Sequence, residues 1–307
     1  MNRPVDTSVE FCGLRLVNPV IAASGTFGYG LEFAGIVNLD RLGGLVVKGL
    51  SREAIDGNPA PRLFETASGM LNSVGLQNIG VRAFVQEKLP ALARLRTAVF
   101  ANVFGYEVTD YVEVVRVLED AAGLAGYELN VSCPNTSHGG MQFGAHPGLL
   151  AEVVAAVKQA ARRRPVVVKL SPNVADIATL ARAAEQSGAD AVSLVNTFVA
   201  LAIDARRRRP RLGAGFGGLS GPAIKPIALR MVYQVAQAVR IPVIGLGGIA
   251  TGEDVAEYLL AGATAVEVGT ATFWDPQAPL RIAREFESFL RQGKIAAARE
   301  LIGGLKV

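Results

Sequence analysis

Eight short apolar runs, separated by amphipathic helical stretches, constrain the fold of this chain more than any other feature. The runs are β-branched and nearly continuous, which is typical of strands buried on both faces of a parallel sheet. Eight alternating strand and helix units favour a closed (β/α)8 barrel, and a doubly wound open sheet is the alternative. The runs occupy residues 18–26, 43–50, 98–105, 127–133, 165–172, 191–197, 241–248 and 265–271.

Two connections are much longer than the usual loop of about 2–6 residues between a strand and a helix. They follow the second and sixth predicted strands, at residues 51–97 and 198–222. The active site of such barrels lies at the carboxyl ends of the strands. We therefore predict a single TIM barrel over residues 1–307, with both insertions forming a lid or substrate wall at its C-terminal face.

Composition narrows the class of protein. Half of the 307 residues are apolar and 19% are charged, and the net charge of +4 does not by itself indicate nucleic acid binding. No apolar run reaches the roughly 18 residues that span a membrane, and "MNRPVDTSVEF" lacks the apolar core of a secretion signal. Two distant cysteines indicate reduced thiols, so we expect a cytoplasmic protein without a membrane span.

Polar side chains and glycines end the predicted strands. Because buried polar groups need partners, their convergence on one barrel mouth predicts a ligand site. Amides and lysines dominate the set, which suits a ligand with many acceptors and some negative charge. The strand-end residues are Ser24, Lys48, Gly49, Asn102, Asn130, Cys133, Lys169, Asn196, Thr197, Gly247, Gly248, Gly269 and Thr270.

The glycines after strands 7 and 8 predict a phosphate cradle. "GLGGIATGED" and "VGTATF" expose backbone N–H groups close to helix N-termini, where phosphate binds in many barrels. A dinucleotide fingerprint is one alternative, with Gly245, Gly247 and Ala250 as its small residues and Glu267 as its ribose-binding acid. Glycines needed only for the turns are another.

Cys133 is the candidate general base. It lies in "GYELNVSCPN", beyond the core of strand 4, and a thiol with a reference pKa of ~8.5 suits proton abstraction from a weakly acidic C–H. A buried structural thiol is the alternative, and we favour that role for Cys12. A nucleophilic cysteine paired with His138 or His146 remains a further possibility.

These motifs together resemble the dihydroorotate dehydrogenases, and among them the class 1B catalytic subunit. The resemblance runs from about Asn18 to Thr272 and is carried by "NPVIAASGTFGYG", "KGLS", "NPAPRLFETASGMLNSVGLQN", "ELNVSCPN", "HGGMQFG", "VKLSPNV", "LVNT", "GGLSGPAIKPIAL" and "GLGGIATGED". It implies a flavoenzyme of pyrimidine (UMP) biosynthesis that oxidises dihydroorotate to orotate, with one FMN per chain, Cys133 as the base and no metal.

The resemblance also assigns ligand contacts by matching position. The implied FMN contacts are Ser24, Lys48, Gly49, Asn102, Asn130, Lys169, Val195, Gly221, Gly247, Gly248, Gly269 and Thr270. The implied substrate contacts are Lys48, Asn72, Ser73, Val74, Gly75, Leu76, Asn130, Asn196 and Thr197.

The resemblance further implies an electron acceptor and a partner. Class 1B enzymes pass electrons to NAD through a second subunit that carries FAD and a two-iron two-sulfur cluster, in an assembly of two catalytic and two partner chains. This chain has two cysteines where such a cluster needs about four ligands, so the cluster is expected only on the partner. "HGGMQFG" favours class 1B over the fumarate-using class 1A, and the basic run 206–211 is either a docking element or a solvated loop.

Three other functions fit parts of the pattern. A flavin dihydrouridine synthase shares a Cys-Pro strand end, and its RNA could contact residues 206–211. A lysine aldolase would use Lys169 as a Schiff base. A non-catalytic phosphate-binding barrel would explain the glycines but not Cys133, Lys48 and the asparagines. We expect no nucleic acid partner.

Overall fold

Eight parallel strands close a barrel in the computed structural model, which describes residues 5–132, 134–135 and 141–306. Each strand pairs with its sequence neighbours, and the last pairs with the first through Val266 and Val20. The predicted barrel and all eight predicted strands are confirmed. The strands are β1 Val20–Ala22, β2 Gly44–Leu50, β3 Ala98–Val103, β4 Gly126–Asn130, β5 Val166–Lys169, β6 Ala191–Leu194, β7 Val243–Leu246 and β8 Ala265–Val268.

In the described part of the chain, six long helices cover the outside of the barrel. Caps form at the start of three of them: the Asp110 carboxylate accepts from Glu107 N, the Asp176 carboxylate accepts from Ala178 N and Thr179 N, and Thr251 forms a capping box with Asp254. The helices are α1 Val108–Glu119, α2 Pro147–Ala160, α3 Ile177–Gln186, α4 Lys225–Ala236, α5 Gly252–Leu260 and α6 Ala278–Gln292.

Shorter helical pieces complete the layer. A segment between β2 and β3 consists of α-helical Val81–Ala83, π-helical Phe84–Lys88 and α-helical Leu89–Leu92. None of the helices in the described part of the chain is long and apolar enough to cross a membrane. The 3-10 turns are Leu31–Phe33, Leu39–Arg41, Phe143–Ala145, Pro222–Ile224, Thr270–Phe273 and Ala298–Leu301.

The two insertions predicted after β2 and β6 pair with each other. Gly69–Asn72 of the first insertion pairs antiparallel with Phe216–Ser220 of the second, and Gly218 lies opposite Asn72. Leu63–Thr66 and Phe198–Leu201 extend this sheet at its two edges. The insertions thus form one wall over the C-terminal mouth, where the sequence predicts a lid.

Among the described residues, three small antiparallel ribbons lie outside the barrel. Val9–Phe11 pairs with Leu14–Leu16 near the start of the chain. Pro134–Asn135 pairs with Met141–Gln142 in the connection after β4, and Ile203–Asp204 pairs with Arg209–Pro210 within the second insertion.

The barrel interior combines an apolar core with a polar layer. The strands are almost wholly buried and rich in valine, which the pleated wall accommodates well. The strands also carry buried polar side chains, which include Asn102, Glu128, Lys169, Ser193 and Glu267, each 5% exposed or less. Charged side chains this deep require partners, so this layer marks the floor of a site rather than part of the hydrophobic core.

Candidate active site

A cavity of about 400 Å³ opens at the C-terminal mouth of the barrel. Its volume is within the usual range for ligand sites, about 300–1,000 Å³. Every residue predicted above for FMN or substrate contact borders this one cavity. Cys133 and His138 lie outside the described residues, but Asn130 and Ser132 of the same segment border the cavity.

Glycines form one end of the cavity because no side chain fits there. Gly221, Gly247 and Gly248 have φ values of +98°, +133° and +73°, a region that residues with a Cβ rarely adopt. A Cβ on Gly247 would lie 2.6 Å from the Cβ of Ala228, and one on Gly248 would lie 2.8 Å from the carbonyl oxygen of Gly221. This backbone can approach a ligand closely, as the predicted phosphate cradle requires.

The alternative dinucleotide fingerprint does not fit this geometry. Gly245 lies inside β7, and a Cβ there would lie 2.4 Å from the ring of Tyr258, so the glycine serves strand–helix packing. Glu267, its candidate ribose acid, is 1% exposed and is paired with Lys169 inside the barrel.

Lys169 is held between two carboxylates at the floor of the cavity. Its Nζ lies 2.8 Å from Glu267 Oε2 and 3.2 Å from Glu128 Oε2. Burial opposes the charge of this ammonium, but the two glutamates outweigh burial and raise the pKa of Lys169. This environment disfavours the aldolase alternative, because a Schiff-base lysine must lose its proton to act as a nucleophile.

Glu128 organises the polar layer below the cavity. Its carboxylate accepts hydrogen bonds from Asn102 Nδ2 at 2.6 Å, Ser193 Oγ at 2.8 Å and Ser24 Oγ at 3.4 Å. Glu128 and Ser193 are not among the site residues predicted from the sequence. A signal existed, since a charged residue inside the apolar strand "GYELN" needs a buried partner.

Three asparagines present amides to the cavity from three different elements. Asn196 donates to Asn130 Oδ1 at 3.3 Å and to Ser132 Oγ at 3.0 Å. Asn72, on the insertion wall, donates to the carbonyl of Gly218 at 3.3 Å. Each amide offers both a donor and an acceptor, so the group can match a ring with alternating carbonyl and N–H groups.

Lys48 adds a second cation at the cavity. Burial lowers its pKa, and repulsion by Arg62 lowers it further while Glu32 opposes the change. A lysine that is partly buried without a close carboxylate partner is well suited to meet a negative charge on a ligand.

The outer rim of the cavity carries two exposed aromatic residues that the sequence analysis did not single out. Phe273 is 49% exposed and Trp274 is 53% exposed, and both border the cavity. Large aromatic side chains left in water beside a ligand site are typical of surfaces that another molecule covers.

Two features that the sequence singled out lie outside the cavity, namely Cys12 and the basic run 206–211. The thiol of Cys12 donates to the carbonyl of Asp190 at 3.4 Å, and burial raises its pKa to about 12, which agrees with the predicted structural role. In the basic run, Arg211 pairs with Asp204 at 3.1 Å and lies over the ring of Phe64, while residues 206–209 are exposed.

The cavity fits the FMN that the resemblance implies. A glycine cradle for a phosphate, buried amides and two lysines supply what a flavin mononucleotide presents, namely a dianionic phosphate and a polar ring edge rich in acceptors. The donor set is rich in nitrogen. No group of three or more His, Cys, Asp or Glu side chains suited to a metal ion occurs within the described ranges.

Comparison with known proteins agrees with the resemblance. The family model for dihydroorotate dehydrogenase matches residues 7–290. A protein of Solibacter usitatus, provisionally named dihydroorotate dehydrogenase A (fumarate), is 74% identical over 97% of this chain and 98% of its own. Proteins of Geobacter metallireducens and Citrifermentans bemidjiense, each named dihydroorotate dehydrogenase B (NAD(+)), catalytic subunit, are 53% and 52% identical over the full length of both chains.

Proposed function

Because this chain belongs to the dihydroorotate dehydrogenase family, we propose that it oxidises (S)-dihydroorotate to orotate on one bound FMN. The reaction is a step of pyrimidine biosynthesis, and in this proposal residues 1–307 form a single FMN-binding barrel in the cytoplasm. The observation that supports it most is the convergence of the predicted cofactor and substrate residues on one cavity.

The glycine end of the cavity would hold the FMN phosphate, at Gly247, Gly248, Gly269 and Thr270. Thr270 Oγ1 is already oriented by a hydrogen bond to Ser220 Oγ at 2.8 Å. Backbone N–H groups at such a turn favour an anion without needing a cation beside it. When bound, FMN accepts the hydride that leaves C6 of dihydroorotate.

The amide side of the cavity would hold the substrate. Asn72, Asn130 and Asn196 can meet the alternating donors and acceptors of the pyrimidine ring, and Lys48 can pair with its carboxylate. Cys133 would take the proton from C5, which the neighbouring carbonyl acidifies. The insertion wall and the barrel would together exclude water from the reacting atoms.

Electrons would then leave for NAD through a partner subunit that carries FAD and a two-iron two-sulfur cluster. Relatives named as catalytic subunits of the NAD-linked enzyme support this choice, and exposed Phe273 and Trp274 offer an apolar rim beside the cavity. We propose a homodimeric core with two partner chains. The fumarate-using type is the second candidate, because the relative from Solibacter usitatus carries that name.

The first test of this proposal is the flavin itself. We expect purified protein to be yellow, to release FMN on heating, and to lose its colour under anaerobic conditions when dihydroorotate is added. Dihydrouracil, which lacks the carboxylate that Lys48 would bind, is the matched control and should bleach the protein much more slowly. Release of FAD, or colour that survives dihydroorotate, would contradict the proposal.

Asn72→Ala is expected to weaken orotate binding much more than FMN binding. Among the described residues the Asn72 side chain makes one hydrogen bond, to Gly218 at 3.3 Å, so its loss should leave the wall in place while removing a ligand partner. Titration of each variant with orotate and with FMN measures both affinities. Leu63→Ala, directly opposite Asn72 in the same sheet and 45% exposed, controls for disturbance of the wall. Equal loss of both ligands in Asn72→Ala would mean that Asn72 only supports the fold.

A further inference from the structure

The floor of the cavity contains more acidic than basic side chains. Lys169 supplies one ammonium, whereas Glu128 and Glu267 supply two carboxyl groups, and all three side chains are 6% exposed or less. Lys169 and Glu267 border the cavity directly. If all three groups were ionised, the barrel interior would carry an uncompensated negative charge below the ligand, which is costly in a poorly solvated site.

No other charge in the described structure compensates the second carboxylate. The remaining polar groups that contact this cluster are neutral and include Ser24, Asn102 and Ser193. Lys48, the other lysine at the cavity, interacts with Arg62 and Glu32 instead. Within this cluster the ammonium of Lys169 is therefore the one positive charge that can neutralise Glu128 or Glu267, and it cannot neutralise both.

The hydrogen bonds distinguish the two acids. Glu128 accepts from Asn102, Ser193, Ser24 and Lys169, so its carboxylate is well satisfied as an anion. Glu267 accepts only from Lys169, and its buried Oε1 receives no hydrogen bond from any described group. The two carboxyl groups are nevertheless neighbours, because Lys169 Nζ lies 3.2 Å from Glu128 Oε2 and 2.8 Å from Glu267 Oε2. Two buried carboxyl groups around one ammonium repel each other when both are ionised, and the poorly satisfied Glu267 is the one that should hold a proton.

We propose that Glu267 is a positioning residue that carries a proton in the resting site and whose protonation is coupled to reduction of the flavin. This inference rests on the proposed FMN site. With Glu267 neutral, the charges of Lys169 and Glu128 cancel, and the floor does not oppose the negative charge that reduction places on the flavin. With Glu267 ionised, the floor is already negative and opposes that charge. A protonated Glu267 is consistent with its pKa, since burial and repulsion by Glu128 raise the pKa of Glu267 to about 8.

The balance of protons and electrons follows directly. Reduction of FMN to its anion takes up two electrons, supplied by dihydroorotate or a chemical reductant, and one proton. Where the solution has removed the proton from Glu267, reduction draws a second proton from solvent back onto its carboxylate. A tenfold change in the equilibrium constant of a two-electron couple equals 29.6 mV, so each proton lowers the midpoint potential by about 30 mV per pH unit.

The test is the pH dependence of the flavin midpoint potential in wild type and Glu267→Gln. The amide is a neutral mimic of the protonated acid, so both proteins should have the same potential near pH 7. The midpoint potential of the variant should fall by about 30 mV per pH unit at every pH. Above the pH at which Glu267 loses its proton, the midpoint potential of wild type should fall by up to about 60 mV per pH unit and lie below that of the variant. Potentials set with dithionite and dyes do not require turnover of dihydroorotate, so failure here is distinguishable from failure of the proposed function.

Two results of this measurement would overturn the inference. A constant offset between wild type and Glu267→Gln at every pH would mean that Glu267 is ionised throughout. Identical potentials up to about pH 10 would mean that it never exchanges its proton with flavin reduction, although its pKa lies near 8.

Infrared difference spectroscopy keeps the inference testable should Glu267→Gln fold poorly or bind no flavin. Wild type should show a carboxylic acid C=O band near pH 7 that disappears as the pH rises, because ordinary carboxyl groups are already ionised there. Glu119→Gln is the matched control. Glu119 is also a buried acid, but hydrogen bonds from Tyr127 and Arg163 overcome burial and lower its pKa, so this variant should retain the band. Absence of the band from wild type would refute a protonated Glu267.

Discussion

Cys133→Ala is expected to slow reduction of the flavin by dihydroorotate by about 10²- to 10⁴-fold, the usual effect of removing a general base. FMN binding should change little, because the cradle and the cations that would hold the cofactor lie on other strands. Anaerobic stopped-flow mixing, followed through the loss of flavin absorbance, measures the reduction step without any electron acceptor. Near-normal reduction in this variant would remove Cys133 from the mechanism.

The same measurement has a matched control and a pH signature. In Cys12→Ala the flavin should be reduced at the normal rate, since the Cys12 thiol donates a hydrogen bond to the Asp190 carbonyl and burial raises its pKa to about 12. Only the thiolate of Cys133 can accept a proton, so the wild-type rate should rise as the pH rises through the apparent pKa of that thiol. The rise should be absent from Cys133→Ala.

The barrel could be predicted from sequence because its signal is local. Each buried parallel strand is a short β-branched run, and each run ends in polar residues or glycines that mark the C-terminal mouth. The wall over the mouth could not be predicted in the same way. The pairing of Gly218 with Asn72 joins residues 146 positions apart, and nothing in either insertion specifies its partner.

The same distinction applies to the candidate site. The parallel strands bring Lys48, Asn102 and Asn130 to one mouth, so their convergence follows from strand order alone. The Lys169 cluster does not follow in this way, because it depends on which interior residues of β4, β5 and β8 meet across the barrel. From sequence, Lys169 is therefore predicted only as a cofactor contact or a Schiff base, Glu267 only as a ribose acid, and Glu128 not at all, although the three side chains meet in the structure.

If NAD is the final acceptor, we expect the purified chain alone to form almost no NADH from dihydroorotate. The rate of NADH formation should be close to the rate measured without enzyme. The chain has two cysteines, fewer than the roughly four ligands that a two-iron cluster needs, and the described glycine pattern after β7 is better suited to a phosphate cradle than to a dinucleotide fold. Steady-state NADH formation, with and without a co-expressed FAD and iron–sulfur subunit, measures this. The partner should restore activity in a complex of two catalytic and two partner chains.

The names of the relatives make fumarate the alternative electron acceptor to test in the same assay. The protein named for fumarate is 74% identical to this chain, whereas those named for NAD are 52–53% identical over their full length, so identity alone does not choose the acceptor. Exposed Phe273 and Trp274 should be covered by a partner if NAD is the acceptor, and Trp274→Ala should then weaken the complex without slowing flavin reduction by dihydroorotate.

Rapid NADH formation by the chain alone would contradict the need for a partner. Efficient reoxidation of the reduced flavin by fumarate would instead place the protein with the fumarate-using enzymes.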